Sequence, residues 1–410
     1  MKNPPDDAGA PGGVLLTEPP VSPALFAVVG ASAAILVANL YYAQPLITTI
    51  AGALGLKPEF AGSVVSASQL GYGLGLFLLV PLADIFENKR LVLSCGLLAL
   101  IGIIGIATAR SATTFLVFAT LTGIFSSGAQ MLIPYLSHLI PTGQRGRILG
   151  YVMAGILTSV MLARPFALFV AATFGWRIVY VLSAAATACL GMALWRMMPP
   201  RHPQGRIPYR QAIMSMFALF SSEPRVQRRT IYQAILFAVF TMFWAVIPIV
   251  LADHFALGKT AIGLFALAGA GGALAAPMAG RFADRGSTRI GSAAASLLIA
   301  GSFLLSLWSL YAGILIALVV AAVFIDGSVQ AVQAFSRLVV LDVDPKIRGR
   351  INALYMTIIY ISGALGSVIG VSTYFTWGWP AVATLGTAAG LAVFLGVLME
   401  KHRPLVSPDV

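Results

Sequence analysis

Apolar runs close to the length of a bilayer-crossing helix recur twelve times along this chain, separated by short polar, glycine-bearing or proline-bearing breaks. They lie at 24–47, 61–83, 91–109, 113–136, 148–171, 177–197, 230–251, 261–280, 290–309, 311–334, 351–373 and 380–399. A helix needs about 20 apolar residues to cross the hydrocarbon layer, so the pattern predicts twelve transmembrane spans. Between spans nine and ten only Ser309 and Leu310 separate the two runs, and the turn there is inferred from the symmetry described next. Glycines punctuate several runs, as in GYGLGLF and GAGGALAAPMAG, where small residues let helices approach closely in lipid.

The chain contains itself twice. Arg145, Gly146 and Arg147 recur as Arg348, Gly349 and Arg350, and Gly175 and Trp176 recur as Gly378 and Trp379, both at an offset of 203 residues. LADIFENKR carries Asp84 between two apolar runs, and GRFADRGSTR carries Asp284 in the same setting. A parallel repeat of this kind predicts an all-α membrane protein of twelve transmembrane helices in two homologous six-helix bundles. The expected division is a disordered cytoplasmic tail over 1–23, an N-terminal bundle over 24–197, a cytoplasmic linker over 198–229, a C-terminal bundle over 230–399 and a cytoplasmic tail over 400–410.

Composition agrees, since 59% hydrophobic and 10% charged residues leave too little polar surface to cover a soluble globule. A net charge of +12 invites a nucleic-acid reading, but the placement of the cations excludes it. With both termini cytoplasmic, nearly all of the 26 basic residues fall on the inner side, leaving Lys57, Arg110, Arg177 and Lys259 outside and Arg164 within a span. That is the positive-inside distribution of an inner-membrane protein. The N-terminal stretch MKNPPDDAGAPGGVLLTEPPVS lacks the basic start and cleavage site of a signal peptide and reads as a disordered tail. In the linker, Tyr209 to Phe220 forms either an amphipathic interfacial helix or a plain solvated connection. Cys95 and Cys189 lie inside spans, so neither a disulfide framework nor a metal site is expected. No Walker loop or nucleophile elbow occurs, so neither ATP hydrolysis nor another enzymatic activity is expected.

Twelve spans in two halves, with an acidic and basic loop between spans two and three and its copy between spans eight and nine, resemble the major facilitator superfamily. The superfamily's loop signature, Gly-x-Leu-Ala-Asp-Arg-x-Gly-Arg-Lys, is matched in the second copy by Gly280, Asp284, Arg285 and Gly286 and in the first by Leu82, Ala83, Asp84, Lys89 and Arg90. The runs NLYYAQPL and RGRINALYMT resemble the drug:proton antiporter branch and its sugar and metabolite exporters. Thr120 stands where that branch carries an arginine in span four, and Phe166 and Ala167 follow Arg164 and Pro165 where it carries paired glycines. The resemblance implies a major facilitator fold, export coupled to a proton gradient, and no bound cofactor.

The loops also have a reading of their own. A carboxylate at a helix end beside cations can bridge to a neighbouring helix in one conformation and release it in another. Asp84 with Lys89 and Arg90, and Gly280, Asp284, Arg285 and Arg289 in the second loop, would then latch the outward-facing state, although exposed ion pairs contribute only about 0–1 kcal/mol.

Ionisable groups inside spans are costly and point to function. Of the 14 acids, Asp326 alone lies deep within a span. Asp326, Gln330 and Gln333 share one face of span ten, and Gln130 in span four is the repeat mate of Gln333. Arg164 lies about 24 Å from the inner end of span five and Asp326 about 16 Å from that of span ten at the helical rise. Two arrangements stay open: Arg164 leans inward to Asp326, or it snorkels to the outer interface. Asn39, Tyr41, Tyr42 and Gln44 in span one, Trp244 in span seven, and Tyr355 and Tyr360 in span eleven complete the candidate substrate site, whereas Trp176, Trp377 and Trp379 are assigned to outer-interface anchoring.

These readings converge on a monomeric secondary transporter of the bacterial inner membrane, handling a small polar, zwitterionic or amphipathic solute. Burial favours a neutral carboxyl and a nearby cation favours its ionised form, so Asp326 is the candidate proton-coupling group. Symport or facilitated import is the alternative within transport, and a non-transporting membrane sensor is the alternative from another class.

Overall fold

A computed structural model describes residues 22–203, 208–269, 288–342 and 348–400. Among the described residues nine helices are long and apolar enough to cross a membrane. One of them, Arg348–Leu398, contains spans eleven and twelve, joined at a sharp bend at Gly378. Span one is the shorter helix Pro23–Ala38, a break, and the helix Ile47–Ala53. Span eight begins as Lys259–Ala266. The loop residues Gly280, Asp284 and Arg285 lie outside the described residues.

Lipid offers no hydrogen bonds, so a spanning segment must satisfy its backbone internally, and helices do so. Several hydroxyls buried in these helices follow the same rule by bonding back one turn: Thr230 donates to the Val226 carbonyl, Ser292 to Thr288 and Ser296 to Ser292. Packing within each bundle relies on glycine. A Cβ at Gly71 would collide with the Thr120 carbonyl and one at Gly123 with the Ser68 carbonyl, so spans two and four meet backbone to backbone. In the second bundle Gly366 lies against Ala238 and Gly370 against Met242, bringing spans eleven and seven together. Between the bundles, Ser367 Oγ donates to the Gly62 carbonyl at 3.1 Å, and the rings of Tyr72 and Tyr360 stand 4.5 Å apart.

Several elements differ from expectation. The reversal between spans nine and ten falls at Gly313 and Ile314, beyond the expected Ser309 and Leu310 boundary, and Ser309 Oγ donates to the Ile314 carbonyl to close it. Span ten consequently runs Leu315–Leu341, and span five runs Thr142–Phe174. The assignment of all three tryptophans to the interface is corrected: Trp176 and Trp379 are 4% and 1% exposed, while Trp377 is 70% exposed. The repeat-related Gly175 and Gly378 adopt φ of 84° and 73°, a conformation that favours glycine. The turn they permit is followed at once by a tryptophan that packs inward, Trp176 against Phe115 and Tyr180, and Trp379 against Phe243.

The linker forms the helix Tyr209–Ser222. It buries Ala212 and Met216, packs Phe217 on Phe77, and ties Tyr209 Oη to the Leu78 carbonyl at 2.9 Å. Phe217 and Met214 remain exposed on its outer side, the arrangement of a helix lying in an interface.

The charge distribution predicts that the linker helix is cytoplasmic and that the turn after span three faces outward. In a background with Cys95 and Cys189 replaced by alanine, Arg110→Cys in intact cells is expected to react with an impermeant maleimide, and Ser222→Cys only after permeabilisation. Reaction of both from outside overturns this orientation.

Candidate functional site

Between the bundles lies a cavity of about 740 Å³, lined by spans one, four, five, seven, eight, ten and eleven and by Thr288 at the start of span nine. At one end are Arg164 and Asp326; at the other are Arg337, Asp342 and Arg348, at the basic ends of spans ten and eleven. The cavity therefore opens toward the basic side. Beyond the charged end the bundles close, leaving a void of about 10 Å³ among Gln44, Leu168, Trp244 and Phe265.

Span one determines how that end is built. Its helix stops at Ala38, and the chain turns through Asn39–Ala43 before Gln44–Leu46 forms a short 3-10 turn. Asn39 Nδ2 donates to the Ile35 carbonyl at 2.9 Å, and its Oδ1 accepts from Ser183 Oγ at 2.6 Å, which fixes the break to span six. The break delivers Gln44 to the guanidinium of Arg164, whose Nε donates to Gln44 Oε1 at 2.9 Å.

Arg164 and Asp326 are each 3% exposed. Arg164 Nη1 lies 3.6 Å from Asp326 Oδ2, so the ion pair joins span five of one bundle to span ten of the other and the snorkelling arrangement is not adopted. Trp244 connects both charges. Its Nε1 donates to Asp326 Oδ2 at 3.0 Å, and its ring lies 4.2 Å beneath the guanidinium carbon of Arg164, a contact of roughly 0.5–2 kcal/mol. Tyr41 and Phe240 complete an aromatic surround at 5.6 and 5.4 Å.

Gly269 permits this closeness. A Cβ there would lie 2.9 Å from Asp326 Oδ2, 2.9 Å from Trp244 Cζ2 and 3.0 Å from Arg164 Nη1. Gly269 opens the run GAGGALAAPMAG, whose glycines foretell close helix approach without marking which of them meets the charged side chains.

The remaining candidates divide by position. Gln130, Gln330, Gln333 and Tyr360 line the cavity, and Gln130 Nε2 donates to Tyr72 Oη at 3.0 Å. Asn39, Tyr42 and Tyr355 are buried away from it, Tyr42 packing on Phe166 and Tyr180. Arg337, one of the cations that the charge distribution puts on the inner side, also lines the cavity. The stripe rule that groups Asp326, Gln330 and Gln333 also reaches it.

Of the loop residues, Asp84 is exposed at the end of the Val80–Asp84 turn, within Coulombic reach of Arg350 and Arg201. Lys89 is half-buried, and Arg90 Nε pairs with Glu87 at 2.8 Å. Arg289 instead serves its own bundle, donating to the carbonyls of Val397 and Leu398 at the end of span twelve.

Two helical bundles around a largely apolar cavity, with a buried charge pair bridging them, have the architecture of a membrane transporter. The sequence matches the model of the Major Facilitator Superfamily over residues 26–367 and again over 230–409. The chain belongs to that superfamily. It is 37% identical over 384 residues to the uncharacterized transporter YgaY of Escherichia coli O157:H7, covering 93% of this chain and 97% of that protein. It is 25% identical over 344 residues to the uncharacterized MFS-type transporter YwfA of Bacillus subtilis, covering 81% and 82%. Among solved structures, a D-xylose-proton symporter superposes with a TM-score of 0.72 at 13% identity, covering 90% of this chain and 96% of that one. A bacterial homologue of the human lysosomal transporter Spinster, inward-facing and unoccupied, gives 0.68 at 15%, covering 93% and 95%. At these identities the structural likenesses concern the fold.

Breaking one half of a buried pair strands the other charge, which costs about 3–5 kcal/mol, whereas replacing both by apolar groups costs far less. Arg164→Met and Asp326→Leu are each expected to lower the thermal unfolding temperature in detergent sharply, and the double variant to recover much of the loss. Losses that simply add would show that the two charges are not coupled.

Proposed function

We propose that this chain is a monomeric secondary transporter of the bacterial inner membrane that exports a small organic solute by alternating access in exchange for protons, with Asp326 as the coupling group. The observation that carries this reading is the Arg164–Asp326 pair: one cation and one carboxylate, from opposite bundles, at the closed end of the cavity. Its partners make the pair responsive. The direct separation of 3.6 Å is longer than a hydrogen bond, and Trp244 supplies the short contact to the carboxylate. A proton on Asp326 removes the attraction between the bundles at that point while Trp244 and Gln44 still hold the two side chains in place. Energy would come from the proton gradient, with no bound cofactor. With the basic side cytoplasmic, this conformation is open inward and closed outward.

The test uses proteoliposomes loaded with a pH dye, and solutes selected because they stabilise the purified wild type. Asp326→Asn keeps the size and some hydrogen bonding but cannot release a proton. It is expected to retain binding and exchange while uphill transport driven by a pH gradient falls to background. Undiminished uphill transport rejects Asp326 as the coupling group, and flux reversed in direction relative to the gradient identifies symport.

We further propose that Asp84 acts as a conformational latch, supported by its Coulombic reach to Arg350 across the bundles and to Arg201 in the linker. Its counterpart in the second loop would rest on Gly280, Asp284 and Arg285, Arg289 being engaged by the carbonyls at the end of span twelve. An exposed charge contact contributes at most about 1 kcal/mol, roughly a fivefold change in population. Asp84→Asn is therefore expected to shift the balance toward conformations open on the basic side by about that factor. Spin-label distances between the ends of spans two and eleven report it, and identical distributions in both proteins reduce the loop to a membrane anchor.

A further inference from the structure

The cavity wall contributed by span ten carries a stripe of four polar side chains: Asp326, Gln330, Gln333 and Arg337. Their spacings of four, three and four residues return them to one face of the helix. The stripe extends about 16 Å along the helix from the closed end toward the open one. Its two charged ends are in different states. Asp326 has Arg164 beside it and Trp244 bonded to it. Arg337 has no carboxylate within salt-bridge distance among the described residues. Its Nη2 reaches Met356 Sδ at 3.5 Å, a weak acceptor, and its Nε is buried without a hydrogen-bond partner.

An arginine that serves as an interfacial anchor extends its head group into water or phosphates. Arg337 does otherwise: it lies across the cavity wall, half-buried, with a donor occluded from solvent. A guanidinium held this way, above two amides, suits a planar bidentate acceptor. The opposing pair neutralises itself, and the rim contributes Asp342 and Arg348, one charge of each sign. The cation without a counter-charge among the described residues is therefore Arg337.

We infer that Arg337 receives the anionic group of the transported solute, with Gln330 and Gln333 bonding along its body, so that the cavity takes small organic anions with a carboxylate or similar head. This rests on the transporter reading above and names the chemical class it handles. An anionic lipid head group reaching in from the basic side would satisfy the same guanidinium, and the experiment separates the two sources.

The full chain is purified and reconstituted in nanodiscs of phosphatidylcholine. Its thermal stability is then measured with three matched sets, indole-3-acetate, indole-3-acetamide and tryptamine; phenylacetate, phenylacetamide and phenethylamine; succinate, succinamide and putrescine. At least one carboxylate is expected to stabilise the wild type where its amide and amine do not. Arg337→Gln is expected to weaken that carboxylate by roughly tenfold to a hundredfold, the range of a lost charge-assisted hydrogen bond. Arg337→Lys, which keeps the charge without the fork, is expected to fall between them. Equal or stronger stabilisation by amides or amines, no stabilisation by any carboxylate, or an unchanged response in Arg337→Gln overturns the assignment. So does a preference for Arg337 that appears with added phosphatidylglycerol and not with carboxylates, since the site would then hold lipid. Alternating access is scored separately in vesicles through the reactivity of Leu157→Cys in the cavity wall. Reactivity from one face under every condition refutes the transporter reading itself, whereas alternating reactivity without carboxylate preference refutes only the anion site.

Discussion

A charge in the interior of a membrane protein must be met by another charge or by polar groups, and here that requirement is met across the boundary between the two bundles. Arg164 on span five and Asp326 on span ten are both almost wholly buried, and each depends on the opposite half of the molecule for its counter-charge. The surrounding structure follows from holding these two groups together. Gln44 fixes the guanidinium, Trp244 lies beneath it and donates to the carboxylate, and Gly269 leaves the room that any larger residue would fill. The break in span one belongs to the same arrangement, because an uninterrupted helix would carry Gln44 to another face and height. Breaking a membrane helix frees backbone groups that lipid cannot satisfy. The buried bonds from Asn39 to Ile35 and from Ser183 to Asn39 stabilise it in place.

The contacts that close the two sides differ in kind. Away from the basic side, the bundles meet through backbone and small residues, with Gly62 against Ser367 and Gly263 against Leu168. On the basic side, charges are largely engaged within a bundle or its linker. Arg229 bonds Ser292 and Glu400, Arg289 caps the end of span twelve, and Arg201 approaches Asn88. The linker helix crosses between them, anchored to span two through Tyr209 and receiving a hydrogen bond from Arg350 on its Ser215 at 2.7 Å. It acts as a strap on the side where the cavity is open, tying the bundles together without closing the space between them.

How much of this could be read from the sequence depends on whether a feature is periodic or tertiary. The spans and the stripe of Asp326, Gln330 and Gln333 follow from composition and helical spacing, and among the described residues they appear in the fold, span eight beyond residue 269 lying outside these. The pairing of Arg164 with Asp326 does not follow from them. Counted from the observed ends at Thr142 and Leu341 the two residues still differ in depth, so the pair is made by the reach of the arginine side chain across the bundle boundary, which spacing does not encode. Trp176 and Trp379 sit at span ends as expected, but the positive-φ glycines before them turn the rings into the core, a direction that hydropathy does not encode. Gly269 and the role of Gln44 depend on what another helix brings near them. Arg337 differs again: its spacing was legible, and the positive-inside pattern alone gave it a sufficient explanation.

The position of the pair determines what a proton could do under the proposed coupling. If the charges lay within one bundle, protonating Asp326 would change that bundle's internal stability and leave the balance between bundle arrangements largely untouched. Because they lie on opposite bundles, the same proton would act on a contact between the bundles themselves, and a contact made in one arrangement and lost in another is the condition for shifting an equilibrium. The shift can be no larger than the difference in proton affinity between the two states. A carboxylate held 3.6 Å from its cation, with an indole N–H as its short partner, leaves that difference adjustable. A bidentate pair would hold the closed state more firmly and would resist release by either a proton or a solute. Under the proposed coupling, the long contact and the tryptophan that bridges it would favour turnover over stability.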